Sequence, residues 1–259
     1  MLNSNKLKII AIICMIIDHI GYFLKNEISF DTYYLLRAIG RIAMPIFLFL
    51  LIQGFFNTHN LKKYICRIGV AAITTEIIIK GLNFINITYC KSSNISPLLN
   101  YNILFSFLLI LIALRLIDRK ISKNKFIDIL VRSIGIFVII MTYIFIPIDY
   151  EIYGLIVGII MYLTQKYMKS CNILLKVIVG SFVIPPLYIL AARNIIGIFS
   201  VIAVVIICLY NGERGKKNKV ISTIFYLMII LIQILHMLPL KLLYHHFAFF
   251  HNFLIEFFH

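Results

Sequence analysis

The residues of this chain that can do chemistry sit at the ends of apolar runs. The first set lies in MIIDHIGYF, residues 15–23, where Asp18 and His19 stand side by side. An imidazole titrates near neutral pH and can act as a base, while a carboxylate pairs with a cation or orients a neighbour. Adjacent helical residues diverge by about 100°, so the two face different partners. The second set lies in LLRAIGRIAMPIF, residues 35–47. Arg37 and Arg41 are one turn apart and share a face. Two aligned guanidiniums suit a carboxylate, a phosphate or a developing oxyanion. Gly40 admits a neighbouring helix, and Pro45 loosens the backbone in mid-run. Plainer readings stand beside these: an interfacial polar cap for Asp18 and His19, and snorkelling to head groups for the arginines.

Glu76 lies in AAITTEIII with Lys80 four residues on, so it pairs either within its helix or with an arginine of the second run. Asn102 and Ser106 of YNILFS, also i, i+4, read as site residues or as interhelical hydrogen-bond glue. Asp149 and Tyr150 fall in the turn DYEIYG, and Arg214 in the basic turn YNGERGKKNK. The latter is either a topology signal or a phosphate contact. Five cysteines (14, 66, 90, 171 and 208) form no CxxC pair, and His245, His246, His251 and His259 have no metal-ligand spacing. Neither a metal nor a disulfide framework is expected.

The elements that must carry these residues follow from composition. The chain has 259 residues, 62% hydrophobic and 14% charged. Soluble domains run nearer 45–50% apolar and about 25% charged. Continuous apolar runs of about 17–22 residues separated by short polar breaks predict an all-α, polytopic membrane bundle rather than a barrel. Nine spans are expected, at 7–24, 36–56, 64–84, 98–117, 126–147, 151–168, 173–192, 194–210 and 220–238, with 8–10 as the range. Residues 240–259 form an aromatic, His-containing tail. The whole chain, 1–259, reads as one membrane domain. Lys6 and Lys8 precede the first run as in a signal sequence, but no small-residue cleavage site follows, so an uncleaved first helix is expected.

With the N-terminus cytoplasmic and nine alternating spans, eighteen of the 25 Lys and Arg residues fall inside and seven outside. That is the positive-inside bias. The net charge of +15 is thereby assigned to topology and anionic lipid rather than to nucleic acid. The same topology puts Asp18, His19, Arg37, Arg41, Glu76, Asn102, Asp149 and Tyr150 in the outer half of the bundle. An ionisable group in a membrane costs several kcal/mol, so such a gathering reads as paired and functional.

In order, LKIIAIICMIIDHIG, LLRAIGRIAMPIFLFLLIQGFFNTHNLKKY, the TTE at 74–76, YNILFSFLL, DYEIYG and YNGERGKK resemble the TraX family over residues 6–220. Residues 221–259 form a divergent last helix and tail. The resemblance implies a polytopic bacterial inner-membrane protein that transfers acetyl from acetyl-CoA to a pilin-like N-terminus or another cell-envelope acceptor. It is also similar to a broader class of membrane acyltransferases with a basic residue, ten intervening residues and a His in the first helix; Lys8 and His19 have that spacing. On this view His19 is the base, and Asp18 and Glu76 orient partners. Lys8, Arg37, Arg41, Asn102, Asp149, Tyr150 and Arg214 bind substrate or CoA. The chain departs from the family's pattern at Gln53, Asn57 and His59. The expected alternatives are a transporter or lipid-binding protein, for which no internal repeat is present, and a non-catalytic conjugation assembly factor.

Overall fold

The computed structural model describes residues 2–90, 101–148, 150–168, 173–192, 194–213 and 215. The expected span 220–238, the tail, Asp149 and Arg214 lie outside the described residues. Those described fold as helices: α1 (Ser4–Phe23), α2 (Phe30–Gly40), α3 (Ala43–Asn57), α4 (Leu61–Cys90), α5 (Ile103–Asp118), α6 (Lys125–Phe145), α7 (Glu151–Tyr167), α8 (Ile173–Ala192), a 3-10 turn (Ile195–Phe199) and α9 (Ser200–Cys208). Among the described residues there are no strands, only two isolated bridges, Leu2 with Tyr210 and Tyr101 with Ile148.

Short polar side chains start these helices by accepting from orphan backbone N–H groups. Asn3 accepts from Lys6, Ser29 from Thr32, Asn102 from Leu104 and Asn124 from Phe126. Asn60 follows the same rule at the start of α4, its side chain accepting from Lys63 N–H at 3.0 Å.

The expected second span, 36–56, is two helices rather than one. Pro45 has no N–H for the Arg41 carbonyl, and its ring crowds that carbonyl, so the helix cannot run through. The chain ends α2 with a tighter i→i+3 turn, Ile42 N–H to Ile39 carbonyl at 3.1 Å, and α3 starts afresh. Pro45 then occupies the first turn of α3, where a missing donor costs little.

Helix α3 is the centre of the molecule. Eleven of its fifteen residues are buried, on all sides of the helix, as expected of a helix packed all round. It touches α1, α2, α4, α5, α7 and α9. Helix α6 is its opposite. Phe126, Phe137 and Phe145 are exposed, with Ile129, Ile134, Val138 and Ile144 beside them.

Two helical stretches are long and apolar enough to cross a membrane, Phe30–Asn57 and Lys125–Phe145. The remaining expected spans do not meet that measure among the described residues. Helices α5 and α7 have 16 and 17 residues, about 24–26 Å at 1.5 Å per residue against a hydrocarbon core of about 30 Å. Helix α1 is long enough but carries Lys6, Lys8 and Asp18.

Successive helices place their ends at two poles. At the proximal pole, where α1 starts, Leu2 N–H bonds the Leu209 carbonyl at 2.9 Å and Ser4 N–H the Glu213 carbonyl at 3.0 Å. Residues 209–213 therefore seal the start of α1, and Gly212 and Gly215 are at positive φ. The ends of α3, α5 and α7 meet at this pole too. Gln53 donates to Gln165 at 2.7 Å, and Lys166 to Asp118 at 2.8 Å. The distal pole holds the end of α1, the start of α2 and the α6–α7 turn.

Candidate functional site

At the distal pole the Asp18 carboxylate is shared by two arginines. Arg37 Nη1 lies 2.8 Å from Oδ2, and Arg41 Nη2 lies 3.4 Å from Oδ1. Both guanidiniums also anchor to backbone, Arg37 to the Asp18 carbonyl at 3.5 Å and Arg41 to the Arg37 carbonyl at 3.4 Å. The Arg37 guanidinium lies over the Tyr22 ring, 5.8 Å from its centroid. One carboxylate thus faces two cations, and the group of three carries a net positive charge.

Gly40 makes the arrangement possible. A Cβ there would fall 2.0 Å from Asp18 Oδ1 and 2.3 Å from Asp18 Cβ. Gly21 likewise admits Leu36, whose Cβ would be 2.7 Å from a side chain at 21. With a hydrogen atom at each crossing, α1 and α2 come close enough for the short Asp18 side chain to reach both arginines.

His19 points elsewhere, as its angular offset from Asp18 predicts. Its Nδ1 lies 2.8 Å from the Met15 carbonyl. A carbonyl only accepts, so Nδ1 carries the proton. In the neutral ring the lone pair is then on Nε2, the tautomer a general base needs. The Met15 carbonyl thus anchors the ring at Nδ1.

Two phenols complete the pole. Tyr150 and Tyr188 lie within electrostatic range of Arg41, and their rings approach to 5.7 Å between centroids. Tyr150 opens α7 at φ 67°, followed by Glu151 at φ 46°. Two consecutive non-glycine residues in the left-handed region are strained, and such strain gathers at functional sites. A cavity of about 400 Å³ is lined by Tyr143, Phe145, Pro147, Glu151 and Ile152, on both sides of Tyr150 in the chain.

The family comparison matches the chain to the TraX protein family over residues 3–238. The chain belongs to the TraX family. The match runs past residue 220 into the segment expected as the ninth span. A probable fimbrial assembly protein FimC, serogroup H1, of Dichelobacter nodosus is 38% identical over 66 residues, 26% of this TraX chain and 27% of the relative. An uncharacterized protein, RP591, of Rickettsia prowazekii (strain Madrid E) is 37% identical over 84 residues, 32% of each. The chain thus matches about a quarter to a third of the length of these relatives. No solved structure matches.

The remaining expected site residues of this TraX chain fall in other places. Glu76 is buried with Asn102, 6% and 4% exposed. Its Oε2 accepts from Asn102 N–H at 3.2 Å and from Asn102 Nδ2 at 2.8 Å. Lys80 Nζ is 3.3 Å from Oε1, an ion pair without an aligned hydrogen bond. Lys80 also caps the Tyr101 ring at 4.4 Å. Of the two partners weighed for Glu76, the structure supplies its own-helix lysine, not Arg37 or Arg41. Its carboxylate ties α4 to the start of α5. Ser106 bonds the Tyr143 hydroxyl at 3.0 Å, joining α5 to α6. Lys8 lies on α1 toward the proximal pole, about 16 Å from His19 by helical rise. Gln53, one of the departures from the family pattern, bridges Asn57 and Gln165 at 3.1 and 2.7 Å.

Sequence reasoning missed Tyr188 and Tyr22. Both look like ordinary aromatics in apolar runs, and nothing local marks them. It also missed the proximal cluster in which Asp118 accepts from both Tyr162 and Lys166.

Proposed function

We propose that this TraX protein is an integral membrane acyltransferase that moves acetyl from acetyl-CoA to an amine or hydroxyl near the outer face of a bacterial inner membrane. The observation that carries this reading is the distal cluster. A histidine whose Nδ1 faces the Met15 carbonyl, two guanidiniums sharing one carboxylate, and two phenols sit at one end of the bundle. Acyl transfer asks for those parts: a base for the acceptor, and positive charge where the carbonyl oxygen turns anionic.

In the proposed step the acceptor nitrogen, or oxygen, attacks the thioester carbon. The new C–N or C–O bond forms and the C–S bond breaks. His19 Nε2 takes the acceptor's proton and returns it to the leaving CoA thiolate. Arg41 and Arg37 hold the carbonyl oxygen; Asp18 fixes their positions. The charge left over by the Asp18–Arg37–Arg41 group suits an anionic transition state better than a neutral ground state.

Exposed Phe, Ile and Val along α6 support a lipid-facing surface. The positive-inside bias supports a cytoplasmic N-terminus, nine spans, and membrane lipids as neighbours rather than nucleic acid. Acetyl-CoA then enters from the proximal pole, toward which Lys8 lies; Arg214 is a further expected CoA contact. The roughly 16 Å from Lys8 to His19 suits an extended pantetheine arm. The acceptor class we favour is a pilin-like N-terminal amine or an envelope component. The relative named as a fimbrial assembly protein gives a second reading, a non-catalytic assembly factor.

The test supplies [14C]acetyl-CoA to the protein in proteoliposomes with a pilin-like peptide or extracted envelope material. Label should pass to the acceptor and fall by about 10²–10⁴ in His19→Ala, the usual worth of a general base. Transfer unchanged in His19→Ala removes His19 from the chemistry. No transfer to any acceptor favours the assembly factor, or a transporter if a solute is taken up instead.

A further inference from the structure

Tyr188 is 2% exposed, and its hydroxyl has no hydrogen-bond partner among the described residues. A buried, unpaired hydroxyl costs stability, and a phenylalanine would fill the same space without that penalty. The hydroxyl's position is nevertheless held firmly. Gly197 of the 3-10 turn presses on the backbone at Tyr188, where a Cβ would lie 2.5 Å from Ile189 N and 2.7 Å from the Tyr188 carbonyl oxygen. Phe199 of the same turn packs edge-on against Tyr34 of α2 at 6.3 Å. Tyr150, on strained backbone, buttresses the Tyr188 ring. Arg41 lies within electrostatic range of both phenols.

Three elements, α2, α7 and α8, thus bring a guanidinium and an unsatisfied O–H donor to the distal pole, within electrostatic range of each other. Donors without an acceptor are what an oxygen-bearing ligand needs, and Arg37 and Arg41 remain partly exposed there, at 21% and 13%. Resting on the acyl-transfer reading above, we propose that the Tyr188 hydroxyl donates to the thioester carbonyl oxygen of acetyl-CoA, beside Arg41, and so forms the second half of the oxyanion site. The donor keeps its proton; the bond strengthens as the carbonyl carbon becomes tetrahedral and its oxygen gains charge.

The probe is [1-13C]acetyl-CoA bound to the full-length protein in nanodiscs, followed by isotope-edited infrared spectroscopy. In the parent protein the carbonyl band should lie below its position in water. In Tyr188→Phe it should move back up, with acetyl-CoA still bound and turnover reduced about 10²-fold, as when one oxyanion donor is removed. Because the hydroxyl has no partner among the described residues, Tyr188→Phe should melt at the same temperature as the parent or higher. An unmoved band, unchanged turnover or a lowered melting temperature overturns the proposal, the last by showing a structural role. Failure of the acyl-transfer reading looks different: the parent protein then binds no acetyl-CoA, and the role of Tyr188 falls with it.

Discussion

Asp18 has two guanidiniums to satisfy and a side chain only two carbons long. It reaches them because Gly40 offers a hydrogen atom where any other residue would offer a methyl group. Gly40→Ala should therefore push α1 away from α2. We expect a loss of about 1–3 kcal/mol, typical of overpacking, read as a lower melting temperature in detergent, together with loss of acetyl transfer. A variant as stable and active as the parent would mean that the two helices have slack at this crossing. Glu76 shows the other fate of a buried acid: its carboxylate is consumed by Asn102 and Lys80. The two acids look alike in the chain. What separates them is the neighbour each meets, a helix carrying two arginines for Asp18 and the start of α5 for Glu76.

Between elements, the two poles are held in different ways. The proximal pole is clamped by Asp118, which lies just past the expected span 98–117 and accepts from Lys166 and Tyr162. Burial alone would raise the Asp118 carboxyl; the hydrogen bonds from Lys166 and Tyr162 outweigh it and hold the group below its ordinary value. A carboxyl lowered in the folded state contributes stability above its unfolded pKa, near 3.9, and loses it as pH falls through the folded value. Asp118→Asn should thus melt lower than the parent at pH 6, and the gap should close as pH drops below about 4. A gap that is constant with pH would show that packing, not charge, holds α5 to α7 there. The distal pole depends instead on the break between α2 and α3. Pro45 ends the continuous run and leaves Arg41 at the joint, paired to Asp18 of α1 and within electrostatic range of Tyr150 and Tyr188. The run and its proline were legible in the chain. The break was not read from it, because a proline in a long apolar stretch kinks a helix as readily as it divides one.

For the molecule as a whole, burial falls from α3, enclosed on all sides, to α6, whose apolar side chains face outward. That gradient is opposite to a soluble protein's surface and fits lipid as the outer solvent. Orientation is open to direct measurement. In a background lacking native cysteines, Thr58→Cys and Ser122→Cys should react with an impermeant maleimide only from the cytoplasmic side. Glu27→Cys should react only from outside. The reverse pattern would invert the proposed topology, and with it the side on which the acceptor is met.

Composition and run length determined that the chain is helical and apolar, and the ordered motifs pointed to its family, because these are properties a chain carries residue by residue. The pairs within one turn were legible for the same reason: Arg37 with Arg41, and Glu76 with Lys80, are set by a period of 3.6. Tertiary structure alone decided which acid meets the arginines, and that Tyr188 comes within electrostatic range of Arg41. Those are contacts between helices distant in sequence, fixed by how closely glycines such as Gly40 and Gly197 let the backbones approach. No local pattern records a distance of that kind.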